Sequence, residues 1–91
     1  MADVTDNAGE QRFELVEQGH VAHADYEIDG DVVVFTHTIV PPALRGTGVG
    51  SRLVEGALAQ VRASGRKVRP LCSFVARYIA QHSEWADLRE G

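Results

Sequence analysis

The chain has 91 residues, 44% of them hydrophobic and 24% charged, a composition typical of one small globular domain. Nine basic and thirteen acidic side chains give a formal net charge of −4. This argues against nucleic acid as the main partner, because phosphate binding needs a basic surface. No apolar run reaches the length of a membrane span. The single cysteine excludes a disulfide within the chain and fits a reducing, cytoplasmic location.

The first ten residues differ from the rest of the chain in composition. Residues 1–10 are polar and acidic and contain no apolar pattern, which predicts a flexible N-terminal tail. We therefore expect a single folded domain over residues 11–91.

Three strands are predicted in the first half of the domain. Residues 11–18 and 20–28 alternate between apolar and polar side chains, and residues 32–40 are rich in β-branched types. Asp29 and Gly30 form a strong hairpin signal between the last two strands. The three strands are expected to pair as an antiparallel meander.

Two helices and one more strand are predicted in the second half. Pro41 and Pro42 end the third strand, because proline cannot donate a backbone hydrogen bond. A helix over residues 48–64, a short strand over 67–71 and a second helix that Ser73 could cap then follow. A short helical turn is expected to finish the chain. The side chains expected to pack on the sheet are Val49, Leu53, Val54, Ala57, Leu58, Val61, Phe74, Val75, Tyr78, Ile79, His82, Trp85 and Leu88.

The predicted order of elements is β-β-β-α-β-α, which defines an α+β domain. The long helix connects the strand that ends near residue 40 to the strand that begins near residue 67. A crossover through a helix favours parallel pairing of the two strands that it joins. The expected sheet is therefore mixed, with an antiparallel meander, one parallel pair and helices packed on it.

The loop between the third strand and the long helix carries the clearest functional signal. Gly46, Gly48 and Gly50 alternate directly after Arg45, so backbone N–H groups at the start of a helix lie beside a permanent positive charge. Such an arrangement binds phosphate groups. A Walker loop is excluded because no lysine is present, and a Rossmann fingerprint is excluded because Ser51 stands where its last glycine belongs.

The loop resembles the acyl-CoA loop of the GCN5-related N-acetyltransferases, R/Q-x-x-G-x-G/A, whose fixed positions are filled by Arg45, Gly48 and Gly50. Val40 and Pro42 match the V-x-P sequence that often precedes that loop. The chain further resembles a small, abridged acetyltransferase-like family. The residues that carry this second resemblance are His37-Thr38, Cys72-Ser73 and Tyr78-Ile79.

The resemblance implies a mode of binding for acetyl-CoA as co-substrate, without a metal. The pyrophosphate would lie on the backbone N–H groups of five consecutive residues. The pantetheine arm would run between the strand that ends at Val40 and the strand that ends at Leu71. A backbone N–H of Ile39 or Val40 would bond the thioester carbonyl. The five residues of the pyrophosphate site are Gly46, Thr47, Gly48, Val49 and Gly50.

Two residues are candidates for catalysis by the same resemblance. Cys72 lies at the start of the last helix, where the helix dipole favours a thiolate, and could accept the acetyl group before passing it on. Its other interpretation is a small buried hydrophobic residue. Tyr78 lies one or two turns further along and could protonate the CoA thiolate, or could simply pack in the core.

Other polar residues have weaker functional interpretations. His37 could act as a base, and His20 and His23 lack a convincing metal-ligand spacing. Acidic residues of the strands could line the side of the amine acceptor, although a solvated strand face explains them as well; they are Glu14, Asp25 and Glu27. Basic residues around the long helix could contact the 3′-phosphate of CoA or remain solvated; they are Arg52, Arg62, Arg66 and Lys67.

The sequence leads to an acetyl-CoA-dependent N-acetyltransferase that acts on a small amine or a lysine side chain. The alternative is a CoA- or acyl-CoA-binding module with little catalysis of its own, because an abridged fold leaves few walls for an acceptor pocket. A protein-interaction domain is a third interpretation. The expected partners are acetyl-CoA and an amine, with no membrane or nucleic acid, and the expected state is a monomer or weak homodimer.

Overall fold

A five-stranded mixed sheet organises residues 4–90, which the computed structural model describes. The strands pair in chain order, antiparallel from the first to the fourth and parallel between the fourth and the fifth. They are β1 (Val4–Asn7), β2 (Arg12–Glu17), β3 (His20–Asp29), β4 (Val32–Ile39) and β5 (Lys67–Pro70). The helices are α1 (Val49–Ser64) and α2 (Ser73–Gln81), with 3-10 turns at Pro42–Leu44 and Ser83–Leu88.

The predicted meander, crossover helix and parallel strand are confirmed. The predicted bounds of these four strands and of α1 differ from the observed ones by at most one residue, and Gly65 ends α1 in a left-handed conformation with φ 79°. One detail is wrong: the residue that caps α2 is Cys72, and Ser73 is already helical. Neither helix of the described chain has the length and apolar character of a membrane span.

The N-terminal strand β1 was not predicted. Residues 4–7 were assigned to a flexible tail, but they pair with β2, with Val4 opposite Leu15. Val4 is buried against Gly56 of α1, and its carbonyl accepts a hydrogen bond of 2.7 Å from Gln60 Nε2. The strand is thus held by contacts distant in sequence, which its own short polar segment does not reveal. Residues 1–3, also assigned to the tail, lie outside the described residues.

Both helices pack on one face of the sheet. One continuous core contains alternate side chains of the strands, such as Phe13, Ala24 and Val33, together with Leu53 of α1 and Ile79 of α2. The apolar stripe predicted for α1 is buried in full. Phe74 of the second predicted stripe remains 38% exposed. The opposite face of the sheet carries mainly polar side chains, and we call it the open face.

A β-bulge in β4 changes which side chains face the helices. Tyr26 of β3 lies opposite Phe35, but the next pair is Asp25 with His37, so Thr36 is an extra residue. A bulge of this kind shifts the alternation of side chains by one position. Phe35 is buried in the core before the bulge, whereas after it Thr38 faces the helices and His37 faces the open side.

The parallel pair β4–β5 ends well before β4 does. The last paired residues are Phe35 and Pro70, and β4 continues to Ile39. The chain leaves β5 through a tight turn, after which the backbone N–H of Cys72 donates to the carbonyl of Phe35 at 3.0 Å. The C-terminal half of β4 therefore has no β5 partner beside it, and the two strands separate there.

Candidate functional site

The loop between β4 and α1 is held by its own backbone and by one buried side chain. Leu44 is 1% exposed and fixes the 3-10 turn to the core. Its carbonyl accepts a hydrogen bond from the backbone N–H of Thr47 at 3.3 Å and from the Thr47 hydroxyl at 2.5 Å. The loop thus keeps a defined shape without help from distant side chains.

The glycines of this loop serve two different purposes. Gly46 and Gly48 have φ values of 81° and 82°, in the left-handed region that glycine adopts without strain. A Cβ on either residue would meet no heavy atom within 4 Å, so the space beside both is open. Gly50 is different, because a Cβ there would lie 2.8 Å from Phe74 Cζ. Gly50 therefore permits the close approach of α1 and α2.

The N-terminus of α1 presents backbone donors to this open space. Gly48 is the residue that caps the helix, and no side chain caps it. An α-helix leaves its first N–H groups without internal partners and carries a partial positive charge there. The first turn of α1 contains no acidic residue that would compete for this end of the helix. An anionic group is the natural partner for these donors.

Arg45 brings a full positive charge to the same place. Its side chain is exposed, and its Nε donates to the carbonyl of Val40 at 3.3 Å. This hydrogen bond fixes the guanidinium at the mouth of the loop. Its terminal nitrogens form no ion pair within residues 4–90. They remain available for a phosphate, which a guanidinium can bind in bidentate fashion.

A cavity of about 380 Å³ connects the loop to the end of β4. One wall is the glycine loop with the first turn of α1, and the other is formed by β4 and Phe74. The lining residues are Thr38, Val40, Leu44, Arg45, Gly46, Gly48, Val49, Gly50, Ser51 and Phe74. The size, the open glycines and the free helix N-terminus fit a phosphorylated ligand with an elongated arm.

Two predicted binding residues do not line this cavity. The hydroxyl of Thr47 is turned toward the Leu44 carbonyl, and the Ile39 side chain is 48% exposed, on the open face. Both were predicted to bind through backbone N–H groups, so the orientation of their side chains does not decide the matter. Their roles remain predictions.

Cys72 lies directly behind the cavity wall. It is buried, with 9% exposure, and precedes the first residue of α2. Its Sγ lies 3.3 Å from the Thr38 hydroxyl oxygen, so that either atom can donate to the other. Thr38 lines the cavity, whereas Cys72 is not among the lining residues. Thr38 therefore borders the open space and also contacts the thiol.

Tyr78 lies on α2, six residues after Cys72. It is buried, and its ring stacks on His82 with centroids 4.0 Å apart. Burial raises the pKa of Tyr78 above its ordinary value of 10.0, and the Glu55 carboxylate adds to the rise, whereas Trp85 opposes it. Trp85 Nε1 makes no hydrogen bond within residues 4–90, so its influence is that of a nearby dipole. Tyr78 does not line the cavity.

Two histidines and three acidic residues of the strands lie on the open face, namely His23, His37, Glu14, Asp25 and Glu27. His23 Nδ1 is 2.7 Å from Asp25 Oδ1, and exposed His37 lies opposite Asp25. Hydrogen bonds from Arg12 and Asn7 lower the pKa of Glu14 below its ordinary value of 4.5. Within residues 4–90 no three potential ligands are close enough to hold a metal.

The predicted basic patch is divided between the two ends of α1. Arg62 donates to the Glu84 carbonyl at 2.9 Å and Lys67 to the Asp87 carbonyl at 2.9 Å. Both lie near the C-terminus of a 16-residue helix, whose length is about 24 Å. The two residues are therefore remote from the glycine loop. Arg52 is nearer to the loop and pairs with Glu17 at 3.1 Å.

Four residues of the cavity were not predicted as site residues, namely Thr38, Leu44, Ser51 and Phe74. Phe74 was expected in the core, but it closes the cavity over Gly50. Thr38 was noted only as half of a histidine-threonine pair. Its contact with Cys72 depends on the bulge in β4 and on the turn after β5, and neither feature has a local sequence signal.

The fold and the loop place this chain among acetyltransferase-like α+β domains. The family model of the GCN5-related N-acetyl-transferases matches residues 12–88, and the chain belongs to this family. An NMR solution structure of a GCN5-like protein from Staphylococcus aureus, described as a proposed N-acetyltransferase, is also similar. It shares 26% sequence identity and a TM-score of 0.73, and the match covers 100% of this chain and 92% of that chain.

Proposed function

We propose that this protein is an acetyl-CoA-dependent N-acetyltransferase that acts on an amine, either a small molecule or a lysine side chain. One observation carries the proposal. A single cavity is lined both by the glycine loop and by Thr38, whose hydroxyl contacts the Cys72 thiol. An acyl donor with a phosphorylated handle and a thioester suits a site that combines backbone donors for an anion with a nearby thiol.

Different residues of the cavity would bind different parts of acetyl-CoA. The backbone N–H groups of residues 46–50 and the Arg45 guanidinium would bind the pyrophosphate. The apolar walls, including Val40 and Phe74, would flank the pantetheine arm. A backbone N–H of Ile39 or Val40 would polarise the thioester carbonyl and stabilise the oxyanion that develops during transfer.

Two routes of acetyl transfer are consistent with this arrangement. The amine could attack the thioester directly, or Cys72 could first take the acetyl group and then pass it on. The thiol lies 3.3 Å from the hydroxyl of Thr38, a residue that lines the cavity, which favours its participation. Tyr78 is stacked on His82 outside the cavity. We therefore assign Tyr78 to packing, not to proton transfer.

Intact-mass spectrometry after incubation with acetyl-CoA tests the proposal. The expected result is one added acetyl group on the wild-type chain and acetylated product when a suitable amine is present. Cys72→Ala separates the routes. If this variant binds CoA and loses transfer, the thiol carries the acetyl group; if it keeps full transfer, the amine attacks directly.

Thermal melts with CoA and with desulfo-CoA test the binding step alone. Any ligand that binds only the folded state raises its stability, so a rise in melting temperature is expected with both compounds. No rise at millimolar ligand would remove the acetyltransferase assignment for this chain.

A CoA- or acyl-CoA-binding module without turnover is the second candidate. It is favoured by the open face of the sheet, where no helix covers His37 or Asp25 within residues 4–90. The acceptor would then have few walls to bind against. A rise in melting temperature with CoA, combined with no acetylated product from any tested amine, would select this function. A cytoplasmic location and a monomer or weak homodimer remain our expectations.

A further inference from the structure

Thr38 occupies a position that the acetyltransferase proposal leaves without a role. The bulge at Thr36 shifts the alternation of side chains along β4 by one residue. As a result Thr38 faces the cavity and His37 faces the open side. The threonine is half-buried and is the residue of β4 that lines the cavity. A thioester held there would lie against its hydroxyl.

The Thr38 hydroxyl is also the polar group in contact with the Cys72 thiol. The distance between Oγ1 and Sγ is 3.3 Å, and either atom can act as donor. The thiol is buried behind the wall with 9% exposure. Within the described chain, no histidine or carboxylate makes a hydrogen bond to Cys72. A base of the usual kind is therefore missing beside this thiol.

A hydroxyl can move a proton without changing its own charge, because it accepts one proton and gives up another. We propose that Thr38 relays the proton of Cys72 to the departing sulfur of CoA. The proposal rests on the proposed acetyltransferase function and on the route through Cys72. It assigns to Thr38, which lines the cavity, the proton transfer first considered for Tyr78, which does not.

The step is balanced in atoms and electrons. The Cys72 sulfur forms a bond to the carbonyl carbon of the acetyl-CoA thioester, and the bond from that carbon to the CoA sulfur breaks. Thr38 Oγ1 accepts the proton from Cys72 and gives its own hydroxyl proton to the CoA sulfur. The products are acetyl-Cys72 and CoA thiol, and no electrons are gained or lost.

The test compares the rate of acetylation of Cys72 in four proteins, measured by intact mass with acetyl-CoA. They are the wild type, Thr38→Val, Thr38→Ser and the control Thr5→Val, which makes the same change at an exposed position of the edge strand β1. Thr38→Val keeps the shape and removes the hydroxyl. We expect it to slow acetylation about a hundredfold, whereas Thr38→Ser and Thr5→Val should stay near the wild-type rate.

The pH dependence separates a relay from a structural role. At alkaline pH a thiol loses its proton to solvent and CoA can leave as a thiolate, so neither proton needs a carrier. The defect of Thr38→Val should therefore shrink as the pH rises. A packing defect would persist at every pH. If Thr38→Val does not fold, Thr38→Ala provides the same comparison.

The rise in melting temperature with CoA distinguishes a failure of the proposed function from a failure of the Thr38 relay alone. If the wild type neither binds CoA nor becomes acetylated, the proposed function fails and the relay fails with it. If the wild type is acetylated and Thr38→Val matches its rate, the relay alone is wrong. Equal slowing of Thr38→Ser and Thr38→Val also overturns the relay, as does a wild type that binds CoA without acetylation of Cys72.

Discussion

The two ends of α1 use polar groups in opposite ways. At the C-terminus, Gly65 and Arg66 donate backbone N–H groups to carbonyls of the last turn at 3.1 and 3.3 Å, and the Ser64 hydroxyl donates to the Val61 carbonyl at 2.7 Å. At the N-terminus, Gly48 offers no side-chain cap and the first turn has no acidic residue. Carbonyls of the last turn thus have internal partners, and we call this C-terminus of α1 the saturated end. At the N-terminus of α1, no side chain accepts from the backbone N–H donors.

This difference is the reason to propose a ligand site at the N-terminus of α1. Helices in folded proteins normally satisfy their terminal groups with caps. A helix that is well capped at one end and uncapped at a rigid, glycine-rich other end presents its donors to a partner outside the chain. Arg45 lies beside the uncapped end, and its positive charge indicates that this partner is negatively charged.

The largest expected effect comes from placing a negative charge at the uncapped N-terminus of α1. Gly48→Asp would place a carboxylate in the proposed phosphate site and a Cβ on a backbone with φ 82°. For the wild type, CoA at a hundred times its Kd should add about 2.7 kcal/mol to the free energy of unfolding. Gly48→Asp should lose this whole increment, as measured by thermal melts with and without CoA.

Gly65→Asp is the matched control, because Gly65 also has a positive φ, 79°, and open space beside it. This variant should lose stability from the strained backbone, about 1 kcal/mol, yet keep the full response to CoA. Equal loss of the CoA response in both variants would contradict the assignment of the two ends.

A second large effect is expected midway along α1, where β1 docks. Gly56→Ala would place a Cβ 2.8 Å from Val4 Cβ. Forcing a methyl group into a packed contact costs about 1–3 kcal/mol, and urea unfolding should show this loss. In a Val4→Ala background the same change should cost less, because the clash is with the valine side chain. An equal cost in both backgrounds would mean that β1 does not rest on Gly56.

The sequence predicted the elements whose signals are local. The helical spacing of Leu53, Ala57 and Val61 identified α1, and the run over residues 32–40 identified β4. The glycine loop was visible because a ligand-binding turn needs fixed residue types at fixed spacing. The function class followed from resemblance at that loop, and the match of the family model supports it.

The sequence could not predict the features that depend on distant partners. The strand β1 exists because Gly56 and Gln60, more than fifty positions away, receive Val4. The bulge at Thr36 arises from the register with β3. Without that bulge Thr38 would face away from Cys72, so the most specific contact of the candidate site was invisible in the pattern of residues.

A smaller effect is expected from Tyr26, which holds β1 near the saturated end of α1. Its hydroxyl donates to Asp6 Oδ1 at 2.7 Å, and burial together with this bond raises the pKa of Tyr26 from 10.0 to about 12. The folded state therefore holds the phenolic proton more tightly than the unfolded state. This contribution to stability is fully present below pH 10 and is lost as the pH rises through about 12.

The measurement for Tyr26 is the free energy of urea unfolding as a function of pH in the wild type and in Tyr26→Phe. The wild type should lose stability faster than the variant between pH 10 and about 12. Other groups titrate in the same window, but they are common to both proteins and cancel in the comparison. Parallel curves would show that the Asp6–Tyr26 bond does not hold β1.

The smallest effect is expected from Arg62, at the saturated end itself. Its guanidinium lies 4.8 Å from the centre of the Trp85 ring and pairs with Asp87. The side chain is 42% exposed, so solvent screens the pair, and Arg62→Ala should cost about 1 kcal/mol or less. Arg62→Lys should recover part of this loss, because an ammonium keeps the charge but not the planar stack.

Arg77→Ala is the control for Arg62, because it removes an exposed arginine from the other helix. It should leave stability nearly unchanged. If the two ends of α1 have separate roles, Arg62→Ala should also keep the full rise in melting temperature with CoA. A variant that loses both stability and the CoA response would show that the saturated end supports the site as well as the fold, and the separation of the two roles along α1 would then be wrong.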